Sequence, residues 1–261
     1  MSKYYKVLKQ LITLASGSYL SSRLDSVAYF LGKIVRFTFF LIFILSLFKF
    51  TETFVGYSKY EAVLFFLTFN LADVLAQALF RGIYMFKNDV KLGNFDFVLS
   101  KPINPLFYSF MRLTDILDTI FLIPIVSLII FTVIKLGVAI SFNNVFLYIL
   151  FLTFSQLIIM GIHVLAASLT IWATEAENFI WLYRESMTVG RFPPEIFPSA
   201  LQWIFTLIIP VIIIVAFPAK ALLGVLNWQW AVFALIYAIG FFAISLLVWK
   251  ISLKHYSSAS S

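Results

Sequence analysis

The chain has 261 residues, of which 62% are hydrophobic, 19% aromatic and only 12% charged, and its mean hydropathy is +1.00. A soluble domain carries about 25% charged residues, so this composition excludes a water-soluble fold and describes a single all-α polytopic membrane domain over residues 1–261. The absence of cysteine excludes a disulfide framework, a thiolate nucleophile and a cysteine metal site, and the net charge of +7 is read as lysine and arginine held at the cytoplasmic face against anionic lipid, not as a nucleic-acid surface.

Residues 2–16 alternate at helical spacing, with Tyr4, Val7, Leu8, Leu11, Leu14 and Ala15 on one face and Lys3, Lys6, Gln10 and Thr13 opposite. This is the pattern of an interfacial helix, apolar side down and lysines toward headgroups; a helix packed on the rest of the protein is the alternative. Gly17 and Ser18 are expected to end it. No short apolar core with a small-residue cleavage site precedes it, so the segment is expected to be retained. Arg23, Lys33 and Arg36 then mark the cytoplasmic edge of a first span.

A transmembrane helix needs about 20 mostly apolar residues. The stretches 31–48, 62–86, 117–139 and 145–173 meet this, followed by 199–218 and 228–250. Trp228 and Trp230 before the last span and Trp249 at its far end fit two interfacial aromatic belts. Basic residues crowd residues 1–36, the 81–118 segment and the tail at Lys250 and Lys254, whereas the 49–61 loop holds only Lys49 and Lys59 and the 135–144 loop only Lys135. The asymmetry predicts a multi-pass protein of the cell (inner) membrane with both termini cytoplasmic, and hence an even number of spans, six.

Between two strongly apolar blocks, residues 87–115 mix charge of both signs. Arg81, Lys87, Lys91, Lys101 and Arg112 face Asp89, Asp96, Asp115 and Asp118, with Gly93, Pro102 and Pro105 as punctuation. The pattern suits a short amphipathic helix at the membrane surface, a handle for a soluble partner. Gly93 is expected to turn the chain, and Pro102 and Pro105 to stiffen the approach to the third span. Phe95, Phe97, Val98 and Leu99 would be apolar knobs, with Lys91 and Asp96 as rim charges.

The run Gly93-Asn94-Phe95-Asp96-Phe97-Val98-Leu99, followed by Lys101-Pro102-Ile103-Asn104-Pro105-Leu106-Phe107, resembles the G-x-x-D-x-x-L-x-x-P-x-N-P-x-F signature of a family of type-2 ABC transporter permeases. Tyr256-Ser257-Ser258-Ala259-Ser260 resembles that family's usual ending. The resemblance implies a six-span exporter-type permease that pairs with a second permease, a paralogue or an identical copy. Separate ABC ATPase subunits, carrying ATP and Mg, would dock on the coupling helix between spans 2 and 3, and an amphipathic or hydrophobic compound would be exported. It also implies another path for the fifth span. Glu175-Ala176-Glu177-Asn178 would be a cytoplasmic turn, 178–192 a short fifth helix and Pro193–Pro198 an outer segment. Residues 199–226, broken by Pro210 and Pro218, would form a re-entrant hairpin before span 6. Hydropathy alone favours 199–218 as a plain span.

Asn70, Asp73, Gln77 and Arg81 form one stripe of the second span. A charge at the bilayer centre costs about 2.5–3.5 kcal/mol on insertion scales, so Asp73 faces protein or water. The stripe is either a wall of a substrate path or helix-to-helix hydrogen bonding; Arg81, near the span's end, reads as an interfacial anchor. Gln156 and His163 share a face of the fourth span beside Gly161, which permits close helix approach. Both are candidate path residues, although a lone intramembrane histidine is more often a packing residue. Arg184 and Glu185 join the path if 178–192 spans and sit in a solvated loop if it does not. No phosphate-binding loop, H-E-x-x-H or G-x-S-x-G motif occurs, so ATP hydrolysis is not expected on this chain. The competing classes are a proton-coupled secondary transporter using Asp73 and His163, and a membrane-bound lipid-modifying enzyme subunit.

Overall fold

The computed structural model describes residues 3–21, 23–137, 141–173 and 177–257. Helix α1 (Lys3–Ser21) leads into α2 (Arg23–Leu47). A two-residue hairpin, β1 (Thr53–Phe54) and β2 (Tyr57–Ser58), follows; its turn at Val55 and Gly56 has two positive φ angles, the geometry that matches strand twist in tight hairpins. Helix α3 (Lys59–Phe80) runs through a 3-10 turn (Arg81–Met85) into three short helices, α4 (Phe86–Lys91), α5 (Asn94–Leu99) and α6 (Pro105–Met111). Long helices α7 (Ile116–Leu136) and α8 (Phe142–Trp172) follow. Then come α9 (Glu177–Met187) with a 3-10 turn to Arg191, a bent pair α10 (Ser199–Leu207) and α11 (Phe217–Leu222), and α12 (Trp228–Lys254).

Five helices are long and apolar enough to cross a membrane, and six passages are reached if the bent pair is counted as one. The expected all-α polytopic membrane protein is what forms. Helix α3 is apolar apart from its Asn70–Asp73–Gln77 stripe and is the most deeply buried of the five, packed between α7 and α8. Helices α2 and α12 lie at the periphery with exposed apolar faces, as suits contact with lipid. The first span covers Leu24–Leu47 and so starts seven residues before the expected 31. Lys33 and Arg36 do not mark its edge but sit well inside it. Helix α1 does not stop at Gly17; it continues to Ser21, and it buries Leu11 and Ala15 while Tyr4 and Leu14 stay exposed.

The two ends of the bundle differ. One carries the β1–β2 hairpin, the other the short helices α4–α6. Lys3 donates to the carbonyl of Pro102, and the Tyr256 hydroxyl donates to Asp96 at 2.8 Å. Both described chain ends therefore lie at the short-helix end. The 177–192 segment runs the length of α3. Trp181 meets Tyr84 near the short-helix end, Arg191 lies over Phe69 half-way along α3, and Phe192 meets Phe54 of the hairpin. It reaches from one end of the bundle to the other in few residues, α9 being only 11 residues before its 3-10 turn. Glu175 lies outside the described residues, as does the side chain of Glu177.

Helix α10 meets the stretch Ile212–Leu222, which ends in α11, at 85°. Trp203 of α10 and Phe217 of α11 both touch Trp230 in the first turn of α12, while the Tyr237 hydroxyl, two turns along α12, donates to the carbonyl of Leu207. Lys220 pairs with Glu195 at 2.5 Å, closing the mouth of the two arms. The element therefore leaves the hairpin end, turns at Pro210 and returns, rather than forming the plain 199–218 span that hydropathy favours. Its backbone is repaired from outside. Pro218 has no amide to offer the carbonyl of Ile214 four residues back, and residues Ile212–Ala216 relax into a π-helix. The fully buried Ser155 hydroxyl of α8 lies 2.7 Å from that carbonyl and 2.8 Å from that of Phe151. Irregular backbone at this depth survives only where protein supplies such partners. Gly161 brings α8 close to α12, since a Cβ there would meet the Phe241 ring at 2.9 Å.

Ser155→Ala removes a donor from the broken hairpin and is expected to destabilise the protein by about 1–3 kcal/mol, read as a lower unfolding temperature in detergent. Ser155→Thr, which keeps the hydroxyl, is expected to lose less.

Candidate functional site

A cavity of about 460 Å³ lies between α2, α3, the start of α7 and α9. Its wall toward α3 is the expected polar stripe: Asn70, Asp73 and Gln77 all line it. Arg184, Glu185 and Arg191 line the side of α9 and its 3-10 turn, Lys33 and Arg36 the side of α2, and the rings of Phe37, Phe40, Phe66, Phe69 and Phe121 complete it. Lys33 donates to Asp118. The Tyr84 hydroxyl accepts from Gln77 at 3.2 Å and from Arg184 at 3.3 Å, which ties α3 to α9 at the cavity's lower edge. Asn70 returns to its own helix, donating to the Phe66 carbonyl at 2.7 Å. The Arg191 guanidinium lies 4.6 Å from the Phe40 ring centre and 5.1 Å from that of Phe69.

Two of the seven expected path residues stand elsewhere. Gln156 donates to the Ala72 carbonyl at 3.1 Å and joins α8 to α3. His163 is fully buried, bonded through Nδ1 to the Ile159 carbonyl and enclosed by Phe80, Tyr84 and Tyr183. Both face the α3–α8 seam, away from the cavity wall. Two cavity arginines, Arg36 and Arg191, were not among the expected residues. Reading Arg36 as a span edge hid it, and Arg191 lay in a loop under the hydropathy reading.

Beneath the cavity, charges of opposite sign are paired. Arg81 donates to Asp115 and, at 3.0 Å, to the Tyr29 hydroxyl; Arg112 donates to Asp89. Asp115 and Asp118 are fully buried and Asp89 nearly so. Asp115 also caps α7, accepting from the amides of Leu117 and Asp118 at 3.0 and 3.2 Å. Arg81 therefore does not simply anchor in headgroups; it is held by a carboxylate. Burial lowers the pKa of the Arg112 guanidinium.

The 87–111 segment is three short helices, not one surface helix. Gly93, at φ +72°, turns the chain between α4 and α5, a conformation side chains rarely adopt. Asn104 accepts from the amides of Leu106 at 2.9 Å and Phe107 at 3.3 Å, and Pro105 opens α6. Gly82 lets the 3-10 turn press on α6; a Cβ there would fall on the carbonyls of Ser109 and Phe110. Phe95 is not an outward knob. It is 0% exposed, among Phe86, Trp249 and Tyr256, and Val98, one turn on, is buried with it. The outward face holds Phe97, 70% exposed, with Leu99 and Leu92 and the exposed Lys91. Asp96 is taken by Tyr256, whose phenol burial and this bond push up to about 12, keeping it a donor. Among the described residues, no group of three histidines or carboxylates is placed to hold a metal ion.

The family model of the ABC-2 family transporter proteins matches residues 34–260. The chain belongs to the ABC-2 transporter family. No curated protein and no solved structure matches it significantly. As an ABC-2 transporter membrane protein it is a transport subunit, not itself an enzyme.

Asp115→Ala removes both the Arg81 partner and the α7 cap and is expected to cost on the order of 3 kcal/mol. Asp115→Asn keeps an acceptor for the cap and is expected to lose less. Unfolding midpoints in detergent for the two variants check the ordering.

Proposed function

We propose that this chain is the permease subunit of an ATP-driven exporter of amphipathic or hydrophobic compounds, worked by ABC ATPases that dock on the α4–α6 segment. The observation that carries the reading is the division of α5: Phe95 and Val98 fasten the segment to α12, while Phe97 and Leu99, with Leu92, stand exposed beside Lys91. An apolar centre with a polar rim is the makeup of a protein interface. An exposed phenylalanine backed by a buried one transmits a push into the bundle instead of deforming a loop. Pro102 and Pro105 lie between this face and α7, and the Pro102 carbonyl is braced by Lys3 of α1.

Asn70, Asp73, Gln77, Arg184 and Glu185 then line the path. Arg36 and Glu185 are exposed at the cavity's edge, and charge facing hydrocarbon is costly. A second permease subunit or water must cover that side. Rocking of the α2–α3–α9 walls between two permeases would expose the cavity first to one face and then to the other. Both termini and the short-helix end are assigned to the cytoplasm of a cell (inner) membrane, because Lys87, Lys91, Lys101, Lys250 and Lys254 cluster there.

Two measurements test this. Phe97→Asp is expected to lower the ratio of copurifying ATPase to permease and abolish transport while the permease still inserts; an unchanged ratio with normal transport removes the docking reading. In this cysteine-free chain, a cysteine at Thr53 is expected to react with an impermeant thiol reagent from outside and one at Lys101 only after permeabilisation. The reverse pattern overturns the orientation.

A further inference from the structure

The cavity has a charge imbalance that its own residues leave open. Four cations line it, Lys33, Arg36, Arg184 and Arg191, against two carboxylates, Asp73 and Glu185. Lys33 is engaged by Asp118 from outside the lining, and Asp73 is the main favourable charge acting on Arg184. Arg36 and Arg191 remain. No ion pair joins either to a carboxylate among the described residues, and the two like charges line the same cavity. Like charges held together in a partly water-excluded space are unfavourable unless a counter-charge arrives.

The rings beside them decide the shape of that counter-charge. The Arg191 guanidinium lies 4.6 Å from the Phe40 ring centre and 5.1 Å from that of Phe69, within cation–π range, and it carries a planar N–H fork. That fork matches two oxygens of a phosphate, sulfonate or carboxylate. Phe37, Phe66 and Phe121 continue the wall as apolar surface.

From this geometry we infer that the cargo is an amphipathic anion, its acidic group held between Arg36 and Arg191 and its apolar body against the phenylalanine wall. This rests on the transporter reading and narrows its substrate class. An anionic lipid reaching the cavity sideways from the bilayer and a soluble amphipathic acid share the chemistry.

The test uses the isolated full-length permease in phosphatidylcholine nanodiscs, so it does not depend on an ATPase. Dansyl-undecanoate is titrated, and energy transfer from tryptophan is followed, Trp181 being part of the cavity lining. Arg36→Gln and Arg191→Gln are each expected to raise the dissociation constant about tenfold, the scale of one lost charge-assisted contact. Arg36→Lys and Arg191→Lys keep the charge and are expected to retain most of the binding, which separates the anion site from the fold. Displacement of the probe by phosphatidylglycerol doped into the disc identifies a bilayer source; displacement only by soluble decyl phosphate identifies a soluble one. An unchanged constant in the double glutamine variant, equal loss in the lysine variants, or displacement by dodecyltrimethylammonium overturns the inference. ATPase copurification would be unaffected by any of these, so failure here and failure of the transporter reading are told apart.

Discussion

Hydrocarbon offers no solvation to charge, and every polar group in this bundle is arranged around that fact. Arg81 with Asp115, Lys33 with Asp118 and Arg112 with Asp89 place cations against nearly or fully buried carboxylates where the long helices give way to the short ones. Each pair joins elements distant in sequence: α2 to α7, the end of α3 to the start of α7, and α4 to the residue after α6. Breaking one leaves an uncompensated buried charge, which is why such pairs hold geometry more firmly than their net contribution to stability suggests. They set the spacing of α2, α3 and α7, and that spacing is the width of the cavity above them.

The same constraint acts on the backbone. The α10–α11 element turns back at Pro210, and Pro218 withholds an amide, so neighbours must satisfy its carbonyls. Ser155 reaches across from α8, and Tyr237 from α12. In return the broken element packs on the short fifth passage: Val211 and Val215 close on Gly190, where a Cβ would meet them at 3.1 and 2.8 Å. The passage through α9 is thus held at the height that brings Arg184, Glu185 and Arg191 to the cavity wall. A plain fifth span at 199–218 would have left those charges in a loop.

At the short-helix end, aromatic packing takes over from charge. Phe95 sits among Phe86, Trp249 and Tyr256, and Tyr256 holds Asp96. On the other side Tyr4 stands edge-on to Phe107 at 5.0 Å. The segment proposed to receive the ATPases is therefore braced by both the first helix and the last.

The sequence by itself determined the class of the protein, the position of most spans, the turn at Gly93, the polar stripe on α3 and the short segment between spans 2 and 3. These follow from composition, from 3.6-residue periodicity and from glycine and proline stereochemistry, all local properties. It did not determine which way a side chain points on a six-residue helix, so Phe95 and Phe97 looked alike although one is sealed in the core and the other is exposed. Nor did it reveal that Lys33 and Arg36 lie inside the first span. Lys33 is accommodated there by Asp118, 85 residues away in sequence, and Arg36 by the cavity it lines. For Gln156 and His163 the sequence left a path role and a packing role both open, with packing the commoner role for a lone intramembrane histidine; only the packing of α8 against α3 turns them to the seam. Pairing, facing and the match between a proline and its distant donor depend on which helices become neighbours, and that was decided by the tertiary structure alone.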